Sequence, residues 1–405
     1  MKRTLFVSID GLLGDLGFSQ VLRVIEPLSR RGLPYALVSL ERAGDLANTA
    51  RVAELERRLA AAGIPWSWDH YAEGSRAGLA ALNMGRLAAL ALRSTRRNGV
   101  GLLHARGYHG GAVARLVRLA LGTPYLFDAR GYWIDERIEG SRWFTTPRRL
   151  AVARAVERRL FADARAVVTL TQLQANDVLA GDFGPADKPV VVIPTCADYD
   201  EFRPRPRDAL PLVPAEARAR LAGKMVLGII GSYSSAYIGA EMATLIADVM
   251  RRRDDAALLV LSGLNDAWRA CLTAGGVPDE RVLYARANHE AMPEWLNLVD
   301  WGLLMLVADS KARSATMPTK LAEFLATGVR PIAHGCNPEM RDWVHRAGHG
   351  LVLESVTPEA LTAAAEIICA PHAPVDTDAV RALTAPHFSL ASGLDRYERL
   401  LRQLH

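Results

Sequence analysis

The sequence predicts an α/β protein made of two doubly wound, parallel-sheet domains. Three observations predict it. Short, continuous apolar runs alternate with longer amphipathic stretches, a proline-rich break falls near the middle of the 405 residues, and the same alternation starts again after the break. A chain of 405 residues fits two domains at roughly 100–200 residues each. Half of the residues are hydrophobic, enough for each half to bury a core of its own.

In the first half, residues 5–9, 35–40, 101–104, 125–127, 166–170 and 190–193 read as strands. Their apolar character is unbroken rather than alternating, as in parallel strands covered on both faces. Between them, residues 19–31, 50–62, 86–97 and 148–162 have helical periodicity, and repeated β-α units of this kind wind a sheet on both sides. Pro204, Pro206, Pro211 and Pro214 mark 202–214 as a linker. Strands follow at 225–231, 257–262, 282–284, 301–307 and 329–333, alternating with helices at 240–252, 293–299, 320–327 and 358–369. Ligands of open α/β sheets bind beyond the carboxyl ends of the strands. Chemistry is therefore expected in the cleft where two such domains face each other.

Composition narrows the classes of function. Cys196, Cys271, Cys336 and Cys369 are scattered, without the short spacing of a zinc site or a redox pair, as expected of a reducing compartment. Met1-Lys2-Arg3 before an apolar run imitates a signal peptide, but Asp10 interrupts it and no small-residue cleavage site follows. No run of about 18 uncharged apolar residues predicts a membrane span. A cytoplasmic protein is expected, at most peripheral to the inner membrane face. The net charge is +5, with arginines concentrated in 51–58, 86–97, 148–159 and 251–253. Solvated helix faces account for most of them, and an anionic lipid surface or a diphosphate is the partner the excess favours. Nucleic acid is not expected, because no aromatic-basic platform accompanies the charge.

Four segments have the residue types for chemistry. Asp10-Gly11-Leu12-Leu13-Gly14-Asp15-Leu16-Gly17 closes the first strand and leads to Ser19, the expected N-cap. Its glycines allow close backbone approach and a helix N-terminus favours anions, although an ordinary loop explains it equally well. Phe127-Asp128-Ala129-Arg130-Gly131-Tyr132-Trp133 follows a strand. There Arg130 can grip a carboxylate or phosphate as a planar fork, and Trp133 can stack on a sugar. Gly231-Ser232-Tyr233-Ser234-Ser235-Ala236-Tyr237-Ile238-Gly239 offers small residues and hydroxyls to a diphosphate. It lacks the lysine of an ATP-binding loop. The fourth segment runs from Ser314 to Ile332. Pro318 suits a helix start and Gly328 its end, with Lys320 and Glu323 on one face. The pair reads either as a solvated ion pair or as a donor site, with Glu323 accepting ribose hydroxyls and the helix N-terminus facing phosphate.

These residues resemble the family 4 glycosyltransferases. Gly17-Phe18-Ser19-Gln20-Val21-Leu22, with Leu28 and Gly32, is similar to the family's opening loop and helix. Residues 192–204, from Val192-Ile193-Pro194-Thr195-Cys196 to Pro204, are similar to its hinge, with Thr195-Cys196 where Asn-Gly is usual. Pro318, Lys320, Glu323, Gly328 and Pro331 match its donor-binding helix, and Phe388-Ser389 with the stretch to Leu404 its final helix. The first of two usual glutamates is replaced by Ala315, and the loop after the first strand of the second domain lacks the Arg and Lys that clasp the diphosphate, a role open to Lys320 or Arg286.

The resemblance implies the GT-B fold, two Rossmann-like domains at 1–203 and 204–385, with 386–405 packing back on the first. It implies retaining transfer from a UDP-, GDP- or similar nucleotide sugar to a glycan, lipid-linked or small-molecule acceptor, without metal or resident cofactor. Gly231, Ser232, Tyr237, Arg286, Pro318, Lys320 and Glu323 are then expected to bind the donor. Gly17, Ser19, Asp128, Arg130 and Trp133 are expected to position the acceptor, and Asp128, Arg130, Lys320 and Glu323 to carry the chemistry. A nucleotide-sugar 2-epimerase and a binding protein that has lost activity are the alternatives.

Overall fold

The apolar runs of the first half pair into a parallel sheet of seven strands: β1 (Arg3–Val7), β2 (Tyr35–Glu41), β3 (Trp66–His70), β4 (Val100–Arg106), β5 (Tyr125–Asp128), β6 (Ala166–Thr169) and β7 (Val190–Val192). The computed structural model describes residues 1–14, 17–74, 77–140, 146–185, 187–234, 236–307, 311–335 and 337–405. Asp15, Leu16, Ser235 and Cys336 lie outside the described residues, as do the side chains of Phe18 and Ser19. The spatial order is β3-β2-β1-β4-β5-β6-β7. Strands β2, β5 and β6 are buried along their whole length, which is why their sequences are apolar without alternation.

A second parallel sheet holds β8 (Met225–Ile230), β9 (Ala256–Leu261), β10 (Val282–Ala285), β11 (Trp301–Met305), β12 (Arg330–His334) and β13 (Leu351–Leu353), in the order β10-β9-β8-β11-β12-β13. Counted within each sheet, both contain the order 3-2-1-4-5-6 of the doubly wound dinucleotide-binding fold. The chain divides into one unit of Met1–Pro194 with Gly393–His405 and another of Thr195–Ser392.

The two strands without a counterpart in the sequence reading, β3 and β13, are edge strands. The Trp-Ser-Trp-Asp-His of β3 is partly exposed along its length, and β13 has only three residues. Neither carries the long apolar run that marks a central strand. The expected helices are found at Thr49–Ala61, Ala77–Arg97, Pro147–Asp163, Gly239–Arg252, Met292–Leu296, Thr319–Thr327 and Pro358–Cys369. Thr146 and Thr357 cap two of them through their side chains, each followed by proline in the first turn, where the missing N–H costs nothing.

Two local expectations are corrected and one helix is added. Helical winding after β1 begins at Gly17, as wide turns over Gly17–Leu22 that run into Arg23–Arg30, so Ser19 lies inside the helix rather than capping it. The proline-rich segment is no free tether. Arg205 pairs with Glu294 at 3.0 Å and its N–H donates to Asn297, Arg207 pairs with Asp300 at 2.8 Å, and the Leu212 N–H donates to Glu294. These contacts hold it on the second unit. The stretch 107–121, which had no assignment, is a helix (Gly107–Leu121) whose first residue follows β4 directly.

The final helix, Leu390–Leu404, rejoins the first unit from Gly393 onward. Leu394, Tyr397, Leu400, Leu401 and Leu404 are its buried stripe, and Arg31 pairs with Asp395 at 2.6 Å and with Glu398 at 3.1 Å. Among the described residues, no helix is long and apolar enough to cross a membrane.

Candidate functional site

At the carboxyl end of the first sheet the last rung between β4 and β5 pairs Arg106 with Asp128. Asp128 is 1% exposed, so it does not reach solvent, contrary to the expectation that it points into an open site. Its Oδ2 accepts a hydrogen bond from the Tyr397 hydroxyl at 3.1 Å and lies 3.7 Å from Nε2 of His104. The other ring nitrogen of His104 meets the Tyr35 hydroxyl at 3.1 Å. Burial by itself would raise the pKa of the Asp128 carboxyl, but Arg130, then His104 and Arg106, outweigh it and hold it down at about 2. Burial, then the Asp128 charge, pushes both the Tyr397 and the Tyr35 phenols up. Asp128 is a buried anchor for cations rather than a group that touches substrate.

Those cations face the loop after β1. Arg130 adopts a left-handed backbone conformation, φ 58°, and is the one non-glycine residue with positive φ among the described residues. Its guanidinium lies 3.9 Å from Asp128 and 3.4 Å from the amide oxygen of Gln20. Arg106 donates to the same Gln20 oxygen. Burial and then the neighbouring Arg130 lower the pKa of Arg106 to about 10. Trp133 is engaged by protein: its ring stacks on Tyr108 at 5.8 Å, meets His109 edge-on at 5.2 Å, and lies under Arg137 at 5.4 Å.

The glycine-rich loop after β1 is folded on itself. A Cβ on Gly17 would come within 2.4 Å of the Gly11 carbonyl oxygen and the Leu12 Cα, so a side chain is excluded by backbone. The Leu12 and Leu13 N–H groups donate to the buried Glu41 carboxylate at 2.8 and 3.2 Å. Those amides are therefore satisfied by the protein and do not cradle an anion.

Acid titration tests the Asp128 anchor. Its folded pKa of about 2 lies below the ordinary 3.8, so its contribution is complete above about pH 4 and is lost as the pH falls towards 2. At about 1.4 kcal/mol per unit, the loss approaches roughly 2–3 kcal/mol once the pH is below 2. Urea unfolding at pH 5, 4 and 3 should show falling stability, with a flatter profile in Asp128→Asn. A variant as acid-sensitive as the wild type would sink this assignment.

At the carboxyl end of the second sheet, β8 is followed directly by Gly231 at φ 109°. A Cβ there would lie 3.2 Å from Cε and 3.3 Å from Nζ of Lys320. The ammonium of the Thr319–Thr327 helix thus sits on the turn after β8, where the loop itself has no cation. Trp268 donates its indole N–H to the Gly231 carbonyl at 2.9 Å, and the Tyr237 ring packs 5.8 Å from Trp268. Tyr237 also bridges to Leu306 beside β11. Pro318 is the N-cap of the helix and Gly328 its left-handed C-cap, φ 81°. Glu323 is half-buried one turn after Lys320, and Ser232 is exposed. Arg286 is exposed after edge strand β10, two strand spacings or about 10 Å from β8. Lys320, rather than Arg286, meets Gly231. Ala315 is fully buried, so the position where the resemblance has its first glutamate is an apolar one.

Sequence reasoning missed Arg106, Gln20, His104, Tyr397 and Trp268. Arg106 had a local signal, a charge closing an apolar strand, but the strand was read as ending at 104. The others are brought in by sheet order and by the returning final helix.

Comparison with known proteins agrees with this architecture. Residues 19–196 match the family model described as Glycosyl transferase 4-like domain. Sucrose-phosphate synthase from Thermosynechococcus elongatus superposes with a TM-score of 0.73 at 15% identity, covering 100% of this chain and 99% of that one. Anabaena HepE, solved with UDP and glucose, gives 0.70 at 15% identity over 99% of this chain and 100% of its own. An α,α-trehalose-phosphate synthase (UDP-forming) from Burkholderia vietnamiensis gives 0.67 at 11% identity, covering 100% and 99%. No curated protein matches the sequence. The two Rossmann-like sheets have the GT-B architecture of these structures over the whole chain. The first unit carries a glycosyl transferase 4-like domain, in keeping with the family 4 motifs of the sequence.

Proposed function

We propose that this chain transfers a sugar from a nucleotide-sugar donor to a glycan, lipid-linked or small-molecule acceptor, with retention of configuration and without a metal. The observation that supports it most is the Lys320 ammonium against the Gly231 turn. A diphosphate leaving group gathers negative charge as the glycosidic bond breaks, and a preorganised cation acts on that charge more than on the ground state. The Thr319–Thr327 helix directs its N-terminus to the same end of the sheet, a favourable place for phosphate oxygens. With Ala315 buried and apolar, the reaction draws its drive from positioning and positive charge. The leaving diphosphate itself accepts the acceptor's proton. The UDP and glucose held by HepE make UDP-glucose the first donor to test, followed by GDP sugars.

Glu323 completes the donor site in this reading, accepting hydrogen bonds from ribose. Glu323→Ala should weaken nucleotide binding roughly tenfold to a hundredfold, the loss of a charge-assisted bond worth about 1.5–3 kcal/mol. Glu323→Gln should recover part of it, because the amide oxygen still accepts. Calorimetry on folded variants checks this, and a near-normal dissociation constant in Glu323→Ala would remove Glu323 from the donor site. Purified protein should also release nucleoside diphosphate slowly from its donor. A 2-epimerised nucleotide sugar as product would favour the epimerase instead, and no turnover with tight nucleotide binding a protein that only binds.

A further inference from the structure

In the first sheet, β1 leads to β2 on one side and β4 leads to β5 on the other. The crevice outside the carboxyl ends of β1 and β4 is therefore the topological switch point, where open α/β sheets bind ligands. Arg106 is the last residue of β4, and its guanidinium reaches across that point to Gln20, 86 residues away on the helical turn after β1. Arg130 comes to the same Gln20 oxygen from the loop after β5. Two guanidiniums, each a fork of N–H donors shaped for oxyanions, thus share one neutral side-chain oxygen. Asp128, 3.9 Å from Arg130, is beyond hydrogen-bond length and sealed beneath the pair. Asp10, exposed on the loop after β1, acts on Arg106 by its charge less than Arg130 and Asp128 do.

Two further features point the same way. Arg130 is held at φ 58°, a conformation unfavourable for any residue with a side chain, and such strain persists where the surroundings impose it. The Gly107–Leu121 helix starts beside Arg106 without a side-chain cap, so its N-terminal amides add positive potential to the crevice.

We propose that Arg106 and Arg130 together bind a phosphate group on the acceptor. The inference rests on the glycosyltransferase reading above and adds the acceptor's chemical class. A phosphate offers enough oxygens for both forks and relieves the repulsion between two close cations. A soluble sugar phosphate and a lipid-linked phosphate share that chemistry.

Calorimetry on the full chain tests it with two pairs of probes: glucose 6-phosphate against glucose, and a short polyprenyl phosphate against its polyprenol in detergent micelles. At least one phosphate should bind about tenfold or more tightly than its neutral counterpart, and the pair that shows it identifies the source. Arg106→Gln and Arg130→Gly should each abolish that preference, and Lys320→Ala should keep it. Arg130→Gly relieves the strained φ but takes a cation from beside the buried Asp128, so Arg130→Lys, which keeps the charge and loses the fork, is titrated beside it and should melt near the wild type. That separates lost binding from lost fold. The proposal is overturned if neither phosphate is preferred, or if the preference survives both arginine substitutions. UDP and GDP titrations in the same series keep the two readings apart. Normal nucleotide binding without phosphate preference sinks this inference alone, and no nucleotide binding by the wild type sinks the glycosyltransferase reading.

Discussion

Lys320→Ala should lower kcat/KM for sugar transfer by roughly 10²–10³, the usual cost of removing one preorganised donor to a developing anion. Lys320 lies at the start of the Thr319–Thr327 helix, half-buried, with its ammonium on the turn after β8. Truncation removes a charge and no core contact, so the melting temperature should change little. Lys320→Arg keeps the charge but brings a larger, planar head to a turn where Gly231 leaves little room, and partial activity is expected. Gly231→Ala reaches the same contact from the other side: a Cβ would meet Cε and Nζ at 3.2 and 3.3 Å, on a backbone at φ 109°. Both Gly231→Ala and Lys320→Ala should act on turnover with the donor saturated, since the cation works on charge that grows in the transition state. Unchanged turnover in Lys320→Ala would take the diphosphate away from this turn.

Asp128→Ala should destabilise the first unit by about 3–5 kcal/mol, because removing one member of a buried charge network strands the others. Arg130, His104, Tyr397 and Arg106 all lie around this carboxylate. A domain holds about 5–15 kcal/mol in total, so the loss should be plain in urea or thermal unfolding. Tyr397→Phe keeps the ring and loses one hydrogen bond, costing about 1 kcal/mol. A double-mutant cycle between the two should show coupling, since they share a contact. If Asp128→Ala unfolds with the wild-type midpoint, the carboxylate is not the anchor that holds Arg130.

Much of this molecule was legible in its sequence. The central strands were readable because they are covered on both faces and so cannot alternate. The edge strands β3 and β13 were not, because β3 is partly exposed and interleaved with polar residues and β13 has only three residues. Pro318 and Gly328 bounded the Thr319–Thr327 helix correctly, since each acts on its own backbone. The role expected for the glycines after β1 was harder to read. Gly17 is required by the loop's own backbone, and the neighbouring amides go to Glu41, a partner in a different strand.

The sequence alone determined the central strands of the two doubly wound sheets, several of their helices and the family motifs, because periodicity, caps and turn residues act within a few positions of one another. Only the tertiary structure decided which charges meet. Lys320 answers for the cation missing beside Gly231, Arg106 joins Arg130 over a buried Asp128, and Tyr397 returns from the last helix to hold that carboxylate. Each of these contacts depends on strand order and on where distant segments of the chain meet within one unit. No local pattern encodes them, because the energy that selects them comes from burying whole sheets and helices together.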